Sequence, residues 1–382
     1  MKYFIFVFMF FFGLASNSFA KKTVPMQRVF SSIEFSDDLF FENMLLAIKR
    51  QKEHFGRIDL NEALNFAGRS ITRHHLYDSL IEFEKYVIEA LDCKNFYQKK
   101  FCLRKFNQKM NQAFEVYQPL PEKWEQGFQT TQSFFTAYYS PDFSASFQKD
   151  AVYKNPIYGL PQSLKLRQST SDEINFEGVL ANKGLELLYV KESLYDIWLL
   201  HVEGGGRAKV RMADGSLKTV YLSYAASNKQ RFQMLYKYML AQGMLKKGAA
   251  SIAKQRHYFE NNPQDQRRIL RSCPSYIYFK ITESEPLGVQ NIPLTQNRSL
   301  ATDYRRMKEY GVINFIKGKK PVIRNNRQVS KVAFSRFFLN QDTGGAIKGN
   351  ARCDLYFGYG KDAELAANHV YGLGEQYFLI LK

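Results

Sequence analysis

Gln341-Asp342-Thr343-Gly344-Gly345-Ala346-Ile347-Lys348-Gly349-Asn350-Ala351-Arg352-Cys353-Asp354-Leu355-Tyr356-Phe357-Gly358-Tyr359-Gly360 is the stretch whose reading decides this chain. Two aspartates stand among five glycines, with Lys348 and Arg352 between them. Glycine at that density means tight turns and close backbone approach rather than a regular helix. Asp354 opens the run Asp-Leu-Tyr-Phe, which has strand composition. A carboxyl placed there is held by scaffold and not by a loose loop. On spacing alone two readings stand side by side. One is a functional pair of carboxylates; the other is an Asx-turn at Asp342 and a surface Asp–Arg pair at Asp354.

Outward from this stretch, Val332 to Leu339 leads in as a strand and Tyr377 to Leu381 closes the chain as another. Phe134 to Pro141 alternates and ends at a proline, as a strand does. Phe176 to Leu222 reads as β, with strands at Leu185–Val190 and Ile197–Val202. Ala213-Asp214-Gly215-Ser216 is a hairpin turn between Lys209–Met212 and Leu217–Leu222. Phe232, Leu235, Tyr236, Met239 and Leu240 form one helix face, ended by Gly243. Helices are expected over about 252–258 and 264–270, and a strand over 274–279. Upstream, Phe35 to Tyr117 is helical in pattern: Phe41, Leu45 and Ile48 recur at i, i+4, i+7 with Ser36 as N-cap, and Leu76, Leu80, Phe83 and Val87 repeat the theme.

A length of 382 residues fits one large or two medium domains. At 45% hydrophobic and 24% charged, the chain is globular rather than disordered. With 54 basic against 36 acidic residues, the net charge of +18 favours polyanions or anionic surfaces. Residues 1–20 read as an export signal: Lys2, an apolar run from Tyr3 to Ala15, and a Ser18-Phe19-Ala20 cleavage site. Export removes nucleic acid from the expected partners. It points to a periplasmic protein without a transmembrane segment in its mature form, and no lipid-attachment cysteine follows the apolar run. Cys93, Cys102, Cys273 and Cys353 match no zinc spacing; Cys93 and Cys102 are the nearest pair for a disulfide, against buried free thiols. No metal or cofactor is implied. His201 to Arg207 holds three consecutive glycines, but without a Gly-Lys-Ser/Thr ending it is no phosphate-binding loop.

The run from Asp342 to Gly360 closely resembles the C-terminal signature of the membrane-bound lytic transglycosylase A family of murein-cleaving enzymes: Asp-x-Gly-Gly-Ala-Ile-Lys-Gly, then Asp-hydrophobic-aromatic, then Gly-x-Gly. Thr136 to Pro141 is similar to the family's Thr-Gly-Tyr-Tyr-x-Pro, with Ala137 for glycine. Val202 to Gly206 stands where the family has Val-Gln-Gly-Ser-Gly, with Glu203 for glutamine and Gly205 for serine. Tyr224 to Asn228 matches Tyr-Ala-Gly-x-Asn, and Asn155–Pro161 and Ile292–Asp303 also resemble the family. The resemblance implies a mainly β fold with a helical N-terminal part: a double-psi β-barrel domain, a smaller inserted β-barrel domain, and a groove between them. The first domain is expected over 21–139 and 276–382, and the insertion over 140–275.

The same resemblance implies a lytic transglycosylase that cleaves the β-1,4 bond between N-acetylmuramic acid and N-acetylglucosamine in peptidoglycan and leaves a 1,6-anhydro product. It makes Asp354 the acid/base and Asp342 its support. Thr136, Tyr138, Glu203, Gly205, Tyr224, Asn228, Lys348 and Tyr356 are the expected glycan contacts, and Asp303 either orients the site or serves as a turn carboxylate. Two other functions fit parts of the sequence. One is an inverting hydrolase using Asp354 and Glu203; the other is a non-catalytic wall-binding protein.

Overall fold

The computed structural model describes residues 26–382 apart from 94, 121, 124–128, 131, 248–250, 284, 286, 308–310, 326 and 346. The expected export signal lies outside these residues. Among the described residues, no helix is long and apolar enough to cross a membrane.

Two closed barrels make up most of the chain. The first joins, in order around the ring, Ser133–Ser140, Arg352–Tyr359, Ser299–Thr302, Arg327–Thr343, Ile313–Arg324 and Tyr371–Leu381. The last of these pairs back onto the first and closes the ring. Two of the six pairings are parallel (Ser133–Ser140 with Arg352–Tyr359, Ser299–Thr302 with Arg327–Thr343) and the other four antiparallel, so the chain must cross over between the parallel partners. This is the double-psi barrel that the sequence led us to expect. Its interior is packed by Phe135, Leu300, Ile316, Phe334, Phe338, Cys353 and Leu355.

The second barrel is inserted after Ser140. Its strands run Ile277–Thr282, Leu217–Ser227, Gly205–Arg211, Asp142–Ser146, Glu186–Val190 and Asn155–Tyr158, and a bridge between Gly159 and Phe279 closes it. Ile277–Thr282 therefore pairs within the insertion, beyond the boundary at 275 expected from sequence. Helices Leu235–Ala241, Ile252–Asn261 and Gln266–Arg271 pack on its Leu194–Glu203 helix around Tyr195, Leu199, Leu235, Phe259 and Ile269.

The N-terminal part is helical over Met44–Phe55, Arg73–Leu91 and Phe96–Ala113. It shares one core with the first barrel, in which Phe41, Ile48, Leu80, Phe83 and Phe106 meet Phe315, Phe337 and Leu339. Two local expectations fail here. Phe41 lies before the first helix with φ near 60°, and Ser36 caps nothing; its hydroxyl bonds Ser335 Oγ at 2.7 Å. The helical reading to Tyr117 stops at Ala113, because Phe114–Pro119 pairs with both Met26–Val29 and the closing strand. Cys93 and Cys102 are joined as a disulfide, while Cys273 and Cys353 are buried thiols.

A buried ion pair ties the extension to the barrel. Arg298 and Asp37 are both fully buried; Nη1 and Nη2 of Arg298 donate to the two Asp37 oxygens at 2.6 and 2.9 Å. Nη1 also reaches the Phe337 carbonyl and Nε the Glu42 carbonyl, while Asp37 accepts from the amides of Leu39, Phe41 and Phe337. Every polar atom of the pair has a partner, which is the condition under which a buried pair is tolerated. Removing one member leaves the other charge buried and unpaired. Arg298→Ala is therefore expected to lower unfolding free energy by about 3–5 kcal/mol, measured by urea titration; a loss typical of a surface site contradicts this role.

Candidate active site

The register of the first barrel brings the signature aspartates together. Asp354 stands opposite Thr136 on one side and Ala301 on the other; Ala301 in turn stands opposite Asp342. Paired residues on adjacent strands share a face. Thr136, Asp354, Ala301 and Asp342 thus form one row across four strands, with the small side chain of Ala301 leaving room between the carboxylates. Strand spacing puts the two aspartate backbones roughly 10 Å apart.

A chain of hydrogen bonds orients this row. Arg352 Nη2 donates to Thr136 Oγ1 at 2.6 Å, and the same hydroxyl donates to Asp354 Oδ1. Arg352 also donates to the Cys353 carbonyl, so it is not the direct partner of Asp354. Tyr138, two residues beyond Thr136 and on the same face, donates its hydroxyl to Asp342 Oδ2 at 2.8 Å. Its ring lies 5.1 Å from that of Tyr356, whose hydroxyl bonds Ser140 Oγ at 2.9 Å. The turn between the aspartates is anchored from below: Gly349, at φ 109°, donates its N–H to Asp303 Oδ2 at 3.0 Å. Asp303 thus holds the signature turn and also makes the contact of a turn carboxylate, since its Oδ1 accepts from Arg305 N at 3.1 Å while the Arg305 guanidinium pairs with both oxygens.

The insertion contributes Glu203. Its residues were expected to form a strand over Ile197–Val202, but Leu194–Glu203 is a helix. Ser193 and Asp196 form a capping box at its start, with Ser193 Oγ accepting from Asp196 N and Asp196 Oδ2 from Ser193 N. Gly204 ends the helix in the left-handed region, and Gly205 starts the next strand opposite Ser223. Gly206 is required by close approach, since a Cβ there would meet Leu200 and the Pro141 carbonyl at 2.7 and 2.9 Å. This turn points Glu203 at the first barrel, where the Tyr139 N–H donates to Oε2 at 3.4 Å. Arg256 completes the contact between domains by pairing with Asp196 at 2.8 Å and with Glu364 of the first domain at 3.0 Å.

The remaining expected contacts are dispersed. Tyr224 is 52% exposed on its strand, and Lys348 is exposed on the signature turn. Asn228 is buried inside the insertion, where its amide donates to the Ser169 and Pro274 carbonyls and its oxygen accepts from Tyr276 N. It braces that domain and does not join the carboxylate row. Among the described residues, no group of three His, Cys, Asp or Glu is placed to hold a metal ion.

Burial raises all three acids. Asp354 is pushed above the usual carboxylate range by burial, against the Arg352 charge and the Thr136 hydrogen bond. Burial also raises Asp342, to about 6, against hydrogen bonds from Thr343, Tyr138 and Val289. Glu203 is raised well above its ordinary value, first by burial and then by the charge of Asp354. The Cys353 thiol beside Asp354 is likewise held protonated by burial.

Two family models match the chain: the MltA specific insert domain over 134–280 and the 3D domain over 298–379. Together they cover more than half of it, and the second contains both aspartates and the turn between them. The chain belongs to the MltA family. Membrane-bound lytic murein transglycosylase A of Vibrio cholerae is 32% identical over 250 residues, which is 65% of each chain. That of Escherichia coli K12 is 30% identical over 231 residues, 60% of each. The chain thus matches just under two thirds of the length of these curated relatives. Among solved structures, E. coli MltA with bound chitohexaose superposes with a TM-score of 0.71 at 23% identity, covering 94% of both chains. The membrane-bound lytic murein transglycosylase of Agrobacterium tumefaciens gives 0.68 at 21% identity, over 94% of this chain and 98% of that one. At those identities the likeness is one of fold.

Asp342 supplies a pH test of this electrostatic picture. Its folded value of about 6 exceeds the ordinary 3.8, so ionising it costs the folded state. The penalty is absent below pH about 4 and complete above about 6. Asp342→Asn is neutral throughout, so relative to the parent it should gain about 2–3 kcal/mol of stability between pH 4 and pH 7.5. Urea unfolding at both pH values measures this, and a difference that stays constant with pH contradicts it.

Proposed function

We propose that this chain is a lytic transglycosylase that cleaves the β-1,4 bond between N-acetylmuramic acid and N-acetylglucosamine in peptidoglycan, with Asp354 as the single acid/base. The observation that carries this reading is the placement of Asp354: Thr136 fixes one of its oxygens, and burial raises its carboxyl. A half-buried carboxyl above its usual range, fixed through one oxygen by Thr136, is a general acid ready to donate from the other.

Asp354 protonates the glycosidic oxygen, and the sugar–oxygen bond breaks as positive charge develops at C1. The resulting carboxylate then takes the proton of the C6 hydroxyl of the same sugar, and that oxygen closes on C1. Atoms balance without water, and the product is a 1,6-anhydro sugar. Hydrolysis by the usual route uses two carboxyls; here the nucleophile is tethered, which removes the entropic cost of bringing in water. Asp342, oriented by Tyr138, faces the same row and opposes the positive charge at C1 once ionised. Glycan strands are the proposed partner, and the groove between the barrels the proposed binding path. Residues 1–20 are proposed to direct export to the periplasm.

Glu203 favours a second reading, because it stands close enough to Asp354 for that charge to raise its pKa. An inverting hydrolase would use it as the general base. A base must be ionised, and burial raises Glu203 well above its ordinary value, which disfavours the ionised form and brings its carboxyl closer to the neutral glutamine found at this place in the family.

Two variants separate these readings. Asp354→Asn, checked for folding by circular dichroism, should lose about 10⁴ or more in the rate of anhydro-sugar release from purified sacculi, because one group serves both proton transfers. Glu203→Gln should stay within about tenfold of the parent. Loss of all turnover in Glu203→Gln supports the hydrolase, and near-parent activity in folded Asp354→Asn rejects the assignment of the acid.

A further inference from the structure

The row that carries Asp354 continues past Thr136 onto the closing strand of the barrel. Asp354, Thr136 and Tyr371 stand opposite one another on three neighbouring strands, and one step along, Arg352, Phe134 and Leu373 do the same. Partners across strands, and residues two apart along a strand, share a face. All six therefore lie on the outward face with Asp354, while Phe135, Cys353 and Leu355 between them fill the barrel interior.

These side chains build a shelf beside the acid. The rings of Phe134 and Tyr371 meet edge to face with centroids 4.7 Å apart, and the Arg352 guanidinium covers the Phe134 ring at 5.3 Å. Tyr371 is 59% exposed and Leu373 36%. The same guanidinium donates to the Thr136 hydroxyl that orients Asp354, so the shelf and the acid are mechanically joined through one side chain.

We propose that Tyr371, Phe134 and Arg352 form a stacking subsite for one N-acetylhexosamine ring of the glycan strand, next to the bond that Asp354 protonates. This rests on the reading of Asp354 given above. A pyranose ring has an apolar C–H face that matches an exposed aromatic ring, and its rim hydroxyls match the polar tip of a tyrosine. Continuity selects the occupant: Tyr371 is two strands from Asp354, roughly 10 Å, so a polymer cleaved at Asp354 has its adjoining units within reach.

The test uses the full chain and calorimetric binding of chitohexaose and of the corresponding trimer by the parent, Tyr371→Ala and Tyr371→Phe. Tyr371→Ala should weaken chitohexaose binding about tenfold, the effect of losing one buried aromatic face, and reduce the advantage of hexamer over trimer. Tyr371→Phe should stay within about twofold of the parent. In sacculus digestion KM should rise for Tyr371→Ala while kcat holds. If the parent cleaves murein and Tyr371→Ala binds both oligomers as the parent does, the subsite is overturned and the Asp354 reading stands. If only binding of peptide-bearing fragments is weakened, the shelf holds a stem peptide and the proposal is likewise overturned. A parent that neither binds nor cleaves overturns both.

Discussion

The parallel pairing of Ser133–Ser140 with Arg352–Tyr359 is the constraint on which the rest depends. It sets Thr136 beside Asp354 although 218 residues separate them in sequence. A register slip of one residue would turn Asp354 into the barrel interior and Cys353 out of it. The alternation of buried Phe135 and Cys353 with outward Thr136 and Asp354 opposes that slip, because the interior row is apolar. The same strand ends at Ser140, where the chain leaves for the second barrel, so the insertion is launched from the strand that carries Thr136 and Tyr138.

Around this pairing the polar groups support one another. Ser299 donates to Gln341, and Gln341 to Gln51 of the first helix, immediately before Asp342. Arg50 holds the Leu294 carbonyl, and Arg298 holds Asp37. The helical extension, which no motif identified, is therefore part of the shell that fixes the strand carrying Asp342. Buried networks satisfied at every member rigidify what they surround. The proposed role of Asp354 in two proton transfers benefits from such a setting.

Much of this was legible in the sequence, and the misses have physical causes. The signature run gave the strand at Asp354 and the turn before it, and the helix face of Leu76, Leu80, Phe83 and Val87 is buried as its period requires. Ala213–Ser216 does turn between paired strands. Leu194–Glu203 was misread because a short apolar run fits strand and helix alike; the Ser193–Asp196 capping box was the signal that separates them. Ser36 looked like a cap, but its partner is Ser335, which local sequence does not reveal. Asn228 sits in a motif shared with the family, yet nothing local shows that its amide turns inward onto two carbonyls. Arg352 looked like an ion-pair partner for Asp354, whereas the structure gives it to Thr136 and to the Phe134 ring.

The three acids divide along their environments. Burial raises Glu203 well above its ordinary value and Asp342 to about 6, while Asp354 is raised but opposed by Arg352. Three carboxyls in one place allow hydrolysis as well as ring closure, so the chemistry turns on whether water enters the product. Mass analysis of the disaccharide–peptide fragments released from purified sacculi measures this most directly. The account predicts fragments lighter by one water than the hydrolytic products, with masses unchanged when the digestion is run in ¹⁸O-labelled water. Fragments at the hydrolytic mass that take up the label would contradict it.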